Sequence, residues 1–254
     1  MFATAGYSGA YDTVRDFGGS LSDPVPPPLT ADSPGNDPFI TTAGGTTVPF
    51  SYSFDGGPTK SVTKESIWGW DYLEEYFATY LGINLDLFSV GGGGGVSVFW
   101  PVPRYQQFTS GIRKSEKNQT WLNTDLGVNY TLPANFRGRN EPDISLNADP
   151  ESGYSFVSSL DGAGLLIGEG GTSFVAPQLN GITALLRQST HGRVGFWNPQ
   201  IYPLQNVFGY GAFSPFNDIR AGDNWFYKGV PGYEPGAGIG TLHVTNLALF
   251  LNVF

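Results

Sequence analysis

The segment Gly170-Gly171-Thr172-Ser173, running into Phe174-Val175-Ala176-Pro177, constrains this chain more than any other. The two glycines permit a tight turn. After them Val175, Leu179, Ile182, Leu185 and Leu186 recur at helical spacing over residues 173–188. Pro177 falls near the first turn, where proline is tolerated, and His191-Gly192 provides a stop. The pattern predicts a helix whose first turn carries a serine hydroxyl. Small residues leave that hydroxyl accessible, and the helix N-terminus favours negative charge developing beside it. A nucleophile is presented in this way. The competing reading is a serine that caps the helix by accepting from an orphan amide.

A nucleophilic serine needs a base. The chain has no cysteine and two histidines, which excludes cysteine nucleophiles, disulfides and zinc–thiolate sites. His191 ends the helix that Ser173 begins, about 27 Å away at ~1.5 Å per residue. His243 lies in an apolar tail and reads as a packing or surface residue. A Ser-His-Asp set is therefore not expected. The net charge of −9 argues against nucleic acid or an anionic membrane as partner. No apolar run is long enough to span a bilayer, and the first residues lack the pattern of a signal peptide. Two glycosylation sequons begin at Asn118 and Asn129 and are usable only after export.

The rest of the chain reads as one unit, residues 1–254, with no convincing linker or repeat. Strands are expected at residues 1–5, 39–42 and 143–146, a helix near 71–81, and a Pro-rich surface loop at about 18–38. Residues 111–136 read as polar loop. Residues 154–160 and 164–167 are expected to pair as a hairpin around Asp161-Gly162. Five consecutive glycines, 91–95, lead into an apolar strand-like stretch and lack the Lys-Ser/Thr of a phosphate loop. Arg137 and Arg139 read as structural, with Asp143 or Asp149 as partners. Trp68, Trp70 and Trp225 are candidates either for a partner surface or for the core.

Several of these motifs, in one order, resemble the C-terminal part of the sedolisins, the serine-carboxyl peptidases. They are Gly44-Gly45-Thr46-Thr47, the Gly91–Gly95 run with Pro101-Val102-Pro103-Arg104-Tyr105-Gln106, Arg139-Asn140-Glu141-Pro142-Asp143 with Asn147-Ala148-Asp149-Pro150, Gly170-Gly171-Thr172-Ser173, Phe196-Trp197-Asn198-Pro199 and Asn217-Asp218-Ile219. The resemblance implies a subtilisin-like α/β fold with a parallel sheet and flanking helices, here without its front part. It implies Ser173 as nucleophile and a carboxylate base, Glu and Asp, on a helix upstream of these motifs and so outside this chain. Glu65 and Asp71 are not substitutes for that base. The resemblance also places the glycine run near a substrate cleft, and the chain outside the cell.

Two positions depart from the family pattern. Ala5-Gly6-Tyr7-Ser8-Gly9 is similar to the family's Gly-Asp-Ser-Gly segment, so Tyr7 stands where an oxyanion-site aspartate is expected. A tyrosine hydroxyl donates up to about pH 10, whereas a carboxylic acid donates only when protonated. Tyr7 is thus either an altered oxyanion donor or a side chain that packs in a vestigial site. The resemblance also implies a calcium site built from Asp218, Ile219, Val230, Gly232 and Glu234, with Val and Glu replacing a Gly and an Asp. Oxygen-only ligation suits that ion; the bland alternative is a solvated loop with a turn at Asp218.

Two functions follow from the resemblance. One is a serine-type endopeptidase segment acting on peptide or protein, completed by another segment or subunit. The other is an inactive relative serving as an extracellular structural or binding protein. Either way, a sheet lacking its front part leaves an edge that another segment or chain is expected to cover.

Overall fold

The computed structural model describes residues 1–53, 57–85, 89–162 and 164–253. Its first half contains β1 (Phe2–Thr4), α1 (Thr13–Phe17), β2 (Thr41–Thr47), β3 (Phe50–Tyr52), β4 (Lys60–Val62), β5 (Ser66–Ile67), α2 (Glu74–Tyr76), β6 (Gly95–Pro101), β7 (Thr120–Asn123) and β8 (Val128–Thr131). The second half contains β9 (Gly138–Glu141), β10 (Ile144–Asn147), β11 (Tyr154–Ser158), β12 (Gly164–Glu169), α3 (Thr172–Thr190), α4 (Asn198–Phe208), β13 (Phe216–Asn217), β14 (Thr241–Leu242) and α5 (Val244–Val253).

The main sheet has the order β1-β2-β10-β14-β13, with β5 added to the end of β2. The pairs β1–β2, β2–β10 and β10–β14 are parallel. Strand β2 is buried at every residue although it reads Thr-Thr-Ala-Gly-Gly-Thr-Thr. Buried hydroxyls need partners: the Thr46 hydroxyl donates to Glu65, that of Thr47 to Asp149 and that of Thr42 to the Gly35 carbonyl. Helix α3 lies against β1, β2 and β10. Its Val175, Leu179 and Leu186 join Ala43, Trp68 and Ile144 in the core.

A buried ion pair fastens this sheet to its surroundings. Arg139 Nη2 meets Asp143 Oδ2 at 2.6 Å, with both side chains fully buried. The remaining guanidinium donors go to the carbonyls of Asp37, Ile40 and Asn140 and to the Thr42 hydroxyl. Asp143 also accepts from the Thr42 amide, the Asn198 amide group and the Tyr202 hydroxyl.

The expected strands, the 154–169 hairpin and the α3 helix are all present, with shifted bounds: the strand expected at 39–42 is β2, 41–47. Residues 70–81 form a helical stretch whose pitch changes from tight at Trp70–Leu73 to wide at Phe77–Leu81. Other expectations need correction. The polar stretch 111–136 contains a hairpin, β7–β8, paired from Thr120↔Thr131 to Asn123↔Val128. Leu185 is 61% exposed, off the core face of α3. Trp68 is 2% exposed and belongs to the core, not to a surface. The five glycines, which the resemblance places near a substrate cleft, are all buried, and three of their amides donate to the carbonyls of Tyr7, Trp68 and Gly6.

Removing one partner of a buried ion pair leaves an uncompensated charge. Asp143→Ala should therefore lower unfolding free energy by about 3–5 kcal/mol, read as a fall in denaturant midpoint. An exposed change such as Val157→Thr should leave it within about 0.5 kcal/mol.

Candidate active site

The parallel strands β1, β2 and β10 end on one side of the sheet, and the candidate residues gather there. Ligand sites of open α/β sheets occur outside these carboxyl ends. Strand β1 runs into Gly6-Tyr7-Ser8, and β10 into Ala148-Asp149. The Gly170-Gly171 turn delivers α3 to the same place, with the Gly171 amide donating to the Ala148 carbonyl at 2.5 Å. The Thr172 hydroxyl donates to the Gly6 carbonyl at 2.9 Å, tying the turn directly to the Tyr7 segment.

Gly171 is the residue preceding α3, at φ 107° and ψ 155°, and no side chain caps the helix. Ser173 is therefore inside the first turn, not the cap that the alternative reading supposed. Its side chain is exposed. A Cβ on Gly171 would sit 2.8 Å from Tyr7 Cε1 and 3.5 Å from Ser173 Oγ. Glycine is required there twice over, by its positive φ and by the tyrosine ring. The structure thus brings Ser173 and Tyr7, 166 positions apart in the chain, to the two sides of one glycine.

The Tyr7 loop is held from below by Asp12. Its Oδ1 accepts from the Tyr7 amide at 3.1 Å and the Ser8 amide at 2.9 Å. Burial raises the Asp12 pKa above the usual carboxylate range, against those two amides and Arg15. The Arg15 guanidinium lies 4.9 Å above the Tyr7 ring, a favourable cation–π distance. On the other flank, Phe174 stacks on Tyr154 with centroids 5.8 Å apart. The motif reading did not single out Asp12, Arg15 or Phe174. Only the carboxylate spacing after a glycine turn hinted at Asp12.

Among the described residues, no carboxylate or imidazole hydrogen-bonds the Ser173 hydroxyl. His191 is at the far end of α3, in a left-handed conformation. His243 precedes α5 at the surface, where its Nδ1 accepts from the Asn246 amide. Glu65 is engaged by Thr46. Asp149 accepts from Thr47, Trp70, Tyr72 and the Glu151 amide, which uses both of its oxygens structurally.

The five residues expected to hold calcium come from two neighbouring turns. Asp218 Oδ1 accepts from the Gly232 amide at 3.1 Å, and its Oδ2 from Arg220 at 2.6 Å. Glu234 is 3% exposed, and its oxygens accept from the Gly236 and Ala237 amides. Burial pushes the Glu234 pKa up to about 8, with Asp218 adding to the shift. No cation faces Glu234 in its hydrogen bonds, and each carboxylate oxygen keeps a second lone pair, so the donor chemistry fits a hard cation. Ile219 is buried with Ile67 and Ala237, whereas Val230 is exposed. Among the described residues, no three His, Asp or Glu side chains cluster as a metal site.

No family model matches the chain. Kumamolisin from Bacillus sp. strain MN-32 is 28% identical over 247 residues, covering 95% of this chain and 34% of the relative. Aorsin from Aspergillus oryzae is 28% identical over 224 residues, and tripeptidyl-peptidase sed4 from Aspergillus fumigatus 27% over 221. The solved structure of Pseudomonas sedolisin, a serine-carboxyl proteinase complexed with pseudo-iodotyrostatin, aligns with 99% of this chain at TM-score 0.67 and 21% identity. The chain is similar in sequence to these peptidases and has the subtilisin-like α/β fold of the solved sedolisin. It spans about a third of the length of these curated relatives and 55% of the solved sedolisin chain.

Any side chain at position 171 must displace Tyr7 and adopt a positive φ. Gly171→Ala should destabilise the domain by about 1–3 kcal/mol. Tyrosine fluorescence or near-ultraviolet dichroism should show Tyr7 displaced. Glycine at position 181, exposed and unobstructed, should by contrast tolerate alanine.

Proposed function

We propose that this sedolisin-like domain carries the nucleophile of a serine-type endopeptidase site, with Ser173 attacking a peptide carbonyl and a Glu/Asp base supplied from outside residues 1–254. The observation that carries this reading is the accessible Ser173 in the first turn of α3, held beside Tyr7 by the Thr172–Gly6 bond. The base would take the Ser173 proton as Oγ bonds to the carbonyl carbon. Charge developing on the carbonyl oxygen would face the unpaired amides of the helix start and the Tyr7 hydroxyl. The peptide C–N bond would then break as the departing amine takes the proton back from the base, leaving an ester on Ser173 that water would hydrolyse to a carboxylic acid and the free serine.

The substrate class is peptide or protein and the setting extracellular, by likeness to the relatives. The segment bringing the base would also cover β1, which ends the sheet order among the described residues. No helix of the described residues is long and apolar enough to cross a membrane.

A second reading has its own support. With no acid or imidazole bonded to Ser173 among the described residues, and tyrosine at the oxyanion position, the domain serves equally as a non-catalytic extracellular scaffold. A serine-directed phosphonate and a peptide-hydrolysis assay at acidic pH separate the two. The enzyme reading expects labelling of the full-length protein, and a loss of at least ~10³-fold in rate for Ser173→Ala. Labelling that persists in that variant removes Ser173 from the reaction. Absence of both labelling and hydrolysis selects the scaffold. Tyr7→Phe tests the hydroxyl separately: an oxyanion donor should cost about 10²–10³ in kcat, whereas a packing tyrosine should cost little.

Calcium, bound by the carboxylates of Asp218 and Glu234 and the carbonyls of Ile219, Val230 and Gly232, would join the two turns and neutralise a buried carboxylate. Adding calcium at about 100 times its Kd should then stabilise the fold by about 2.7 kcal/mol, seen as a higher thermal midpoint. Glu234→Gln should abolish that increment, and an unchanged midpoint in the wild type would dismiss the ion.

A further inference from the structure

Glu141 ends β9 and is fully buried, yet neither of its carboxyl oxygens has a hydrogen-bond partner among the described residues. The 30–38 loop covers it. Glu141 Oε2 lies 2.9 Å from the point that a Gly35 Cβ would occupy, and Thr42 Cγ2 lies 2.8 Å from the same point. Glycine at 35 lets the loop press flat against the acid. The other ties of this loop are neutral or use Arg139: the Thr42 hydroxyl to the Gly35 carbonyl, Arg139 to the Asp37 carbonyl, and the Tyr105 hydroxyl to the Pro38 carbonyl.

The charges around Glu141 do not compensate it. Arg139 is on its own strand but is committed to Asp143 and to the carbonyls already named. Asp143 follows it in the chain, Asp32 faces it from the loop, and Tyr233 faces it from the C-terminal segment. Asp32 in turn meets Asp12, Asp16 and Arg15. An isolated carboxylate in this position costs several kcal/mol to ionise, and a carboxylic acid costs far less. Burial, followed by Asp32 and Asp143, raises the Glu141 pKa well above its ordinary value despite Arg139 and the Asp32 backbone amide, both of which favour the ionised form. Burial and Asp12 push Asp32 up to about 6.

We propose that Glu141 is an acid-dependent latch on the 30–38 loop: bearing its proton it lets the loop close on β9, and on losing the proton it drives Asp32 and the loop away. A cavity gives this movement a consequence. Thr30, Ala31 and Asn36 of the loop region line an apolar cavity of about 250 Å³ together with Val96, Phe99 and Trp121. Thr30 also donates its amide to the Ala10 carbonyl, just beyond the Tyr7 turn. Release of the latch opens this cavity and loosens the support of the turn. The latch does not require Ser173 to be reactive.

The sign follows from proton binding. The folded state holds the Glu141 proton to higher pH than the unfolded chain, so the latch is fully engaged below the ordinary glutamate range. It is lost as pH rises through the raised folded value. Hydrogen exchange of residues 30–38 in the intact protein, corrected for intrinsic rates, reads this directly from about pH 4 to pH 8.

Wild-type protection should fall by up to about tenfold per pH unit over the titration, while Glu141→Gln stays flat. Asp32→Asn should make the loss smaller by removing the repulsion. Equal pH profiles for wild type and Glu141→Gln would overturn the proposal. So would protection at high pH that vanishes on adding a chelator, because that makes the acid pair a cation site. Should Glu141→Gln fail to fold, infrared spectra of the wild type with isotope-labelled glutamate decide: a protonated carboxyl band persisting above about pH 6 supports the latch, and its disappearance below that pH rejects it.

Discussion

The Arg139–Asp143 pair is the constraint on which the other contacts rest. Taking both charges out of water costs more than their attraction returns unless every remaining donor and acceptor is used. Here the rest is used. Arg139 reaches Asp37, Ile40, Thr42 and Asn140, and Asp143 accepts from Thr42, Asn198 and Tyr202. These partners belong to the loop before β2, to β2 and β9, and to α4. One ion pair therefore sets the position of four pieces of chain, and β10 starts immediately after it. The far end of β10 carries Ala148, whose carbonyl receives the Gly171 amide. The placement of Ser173 is thus linked through one strand to a charge pair at that strand's opposite end.

Close backbone approach is the second constraint, and it explains the glycine run. A side chain at Gly93 would collide with the Ala5 carbonyl, immediately before the Tyr7 turn. The amides of Gly91 and Gly93 donate to the carbonyls of Tyr7 and Gly6. The run is therefore a buried brace for the candidate site. It supports the Tyr7 turn from inside the protein, while Asp12 holds the amides of the same turn.

Much of this was legible in the sequence where local signals and tertiary needs agree. The α3 helix, the Asp161-Gly162 hairpin and the turn after β1 all follow from periodicity and turn residues. Legibility failed where burial contradicts polarity. Gly138-Arg139-Asn140-Glu141 is polar at three of four positions, yet it is a wholly buried strand, in which Arg139 and Asn140 find partners far away in the chain. Helix α4 carries Pro203 in its interior, so composition does not mark it as a helix. The double glycine before the helical run placed Ser173 in the first turn or at the cap, and the φ of Gly171 decides for the first turn. The pairing of Tyr7 with Ser173 was suggested by family resemblance; geometry supplies the physical contact through Gly171.

The chain buries carboxylates in two ways, and the difference separates scaffold from periphery. Asp143 and Asp149 accept at both oxygens from several donors, so the sheet is fastened by fully hydrogen-bonded acids. Asp12, Asp32, Glu65 and Asp71 are instead shifted upward chiefly by burial. Asp12 lies beside the Tyr7 turn, Asp32 in the loop before β2, Glu65 just before β5 and Asp71 in the 70–81 helical stretch. Acids of the second kind bind more protons folded than unfolded, so their contribution is greatest at low pH and declines as pH rises through their folded values. Rising pH therefore weakens the segments that carry these acids, the Asp12 support of the Tyr7 turn among them. Acids placed in such segments favour local opening as the pH-dependent event, because a loop opens at lower free energy than the whole fold.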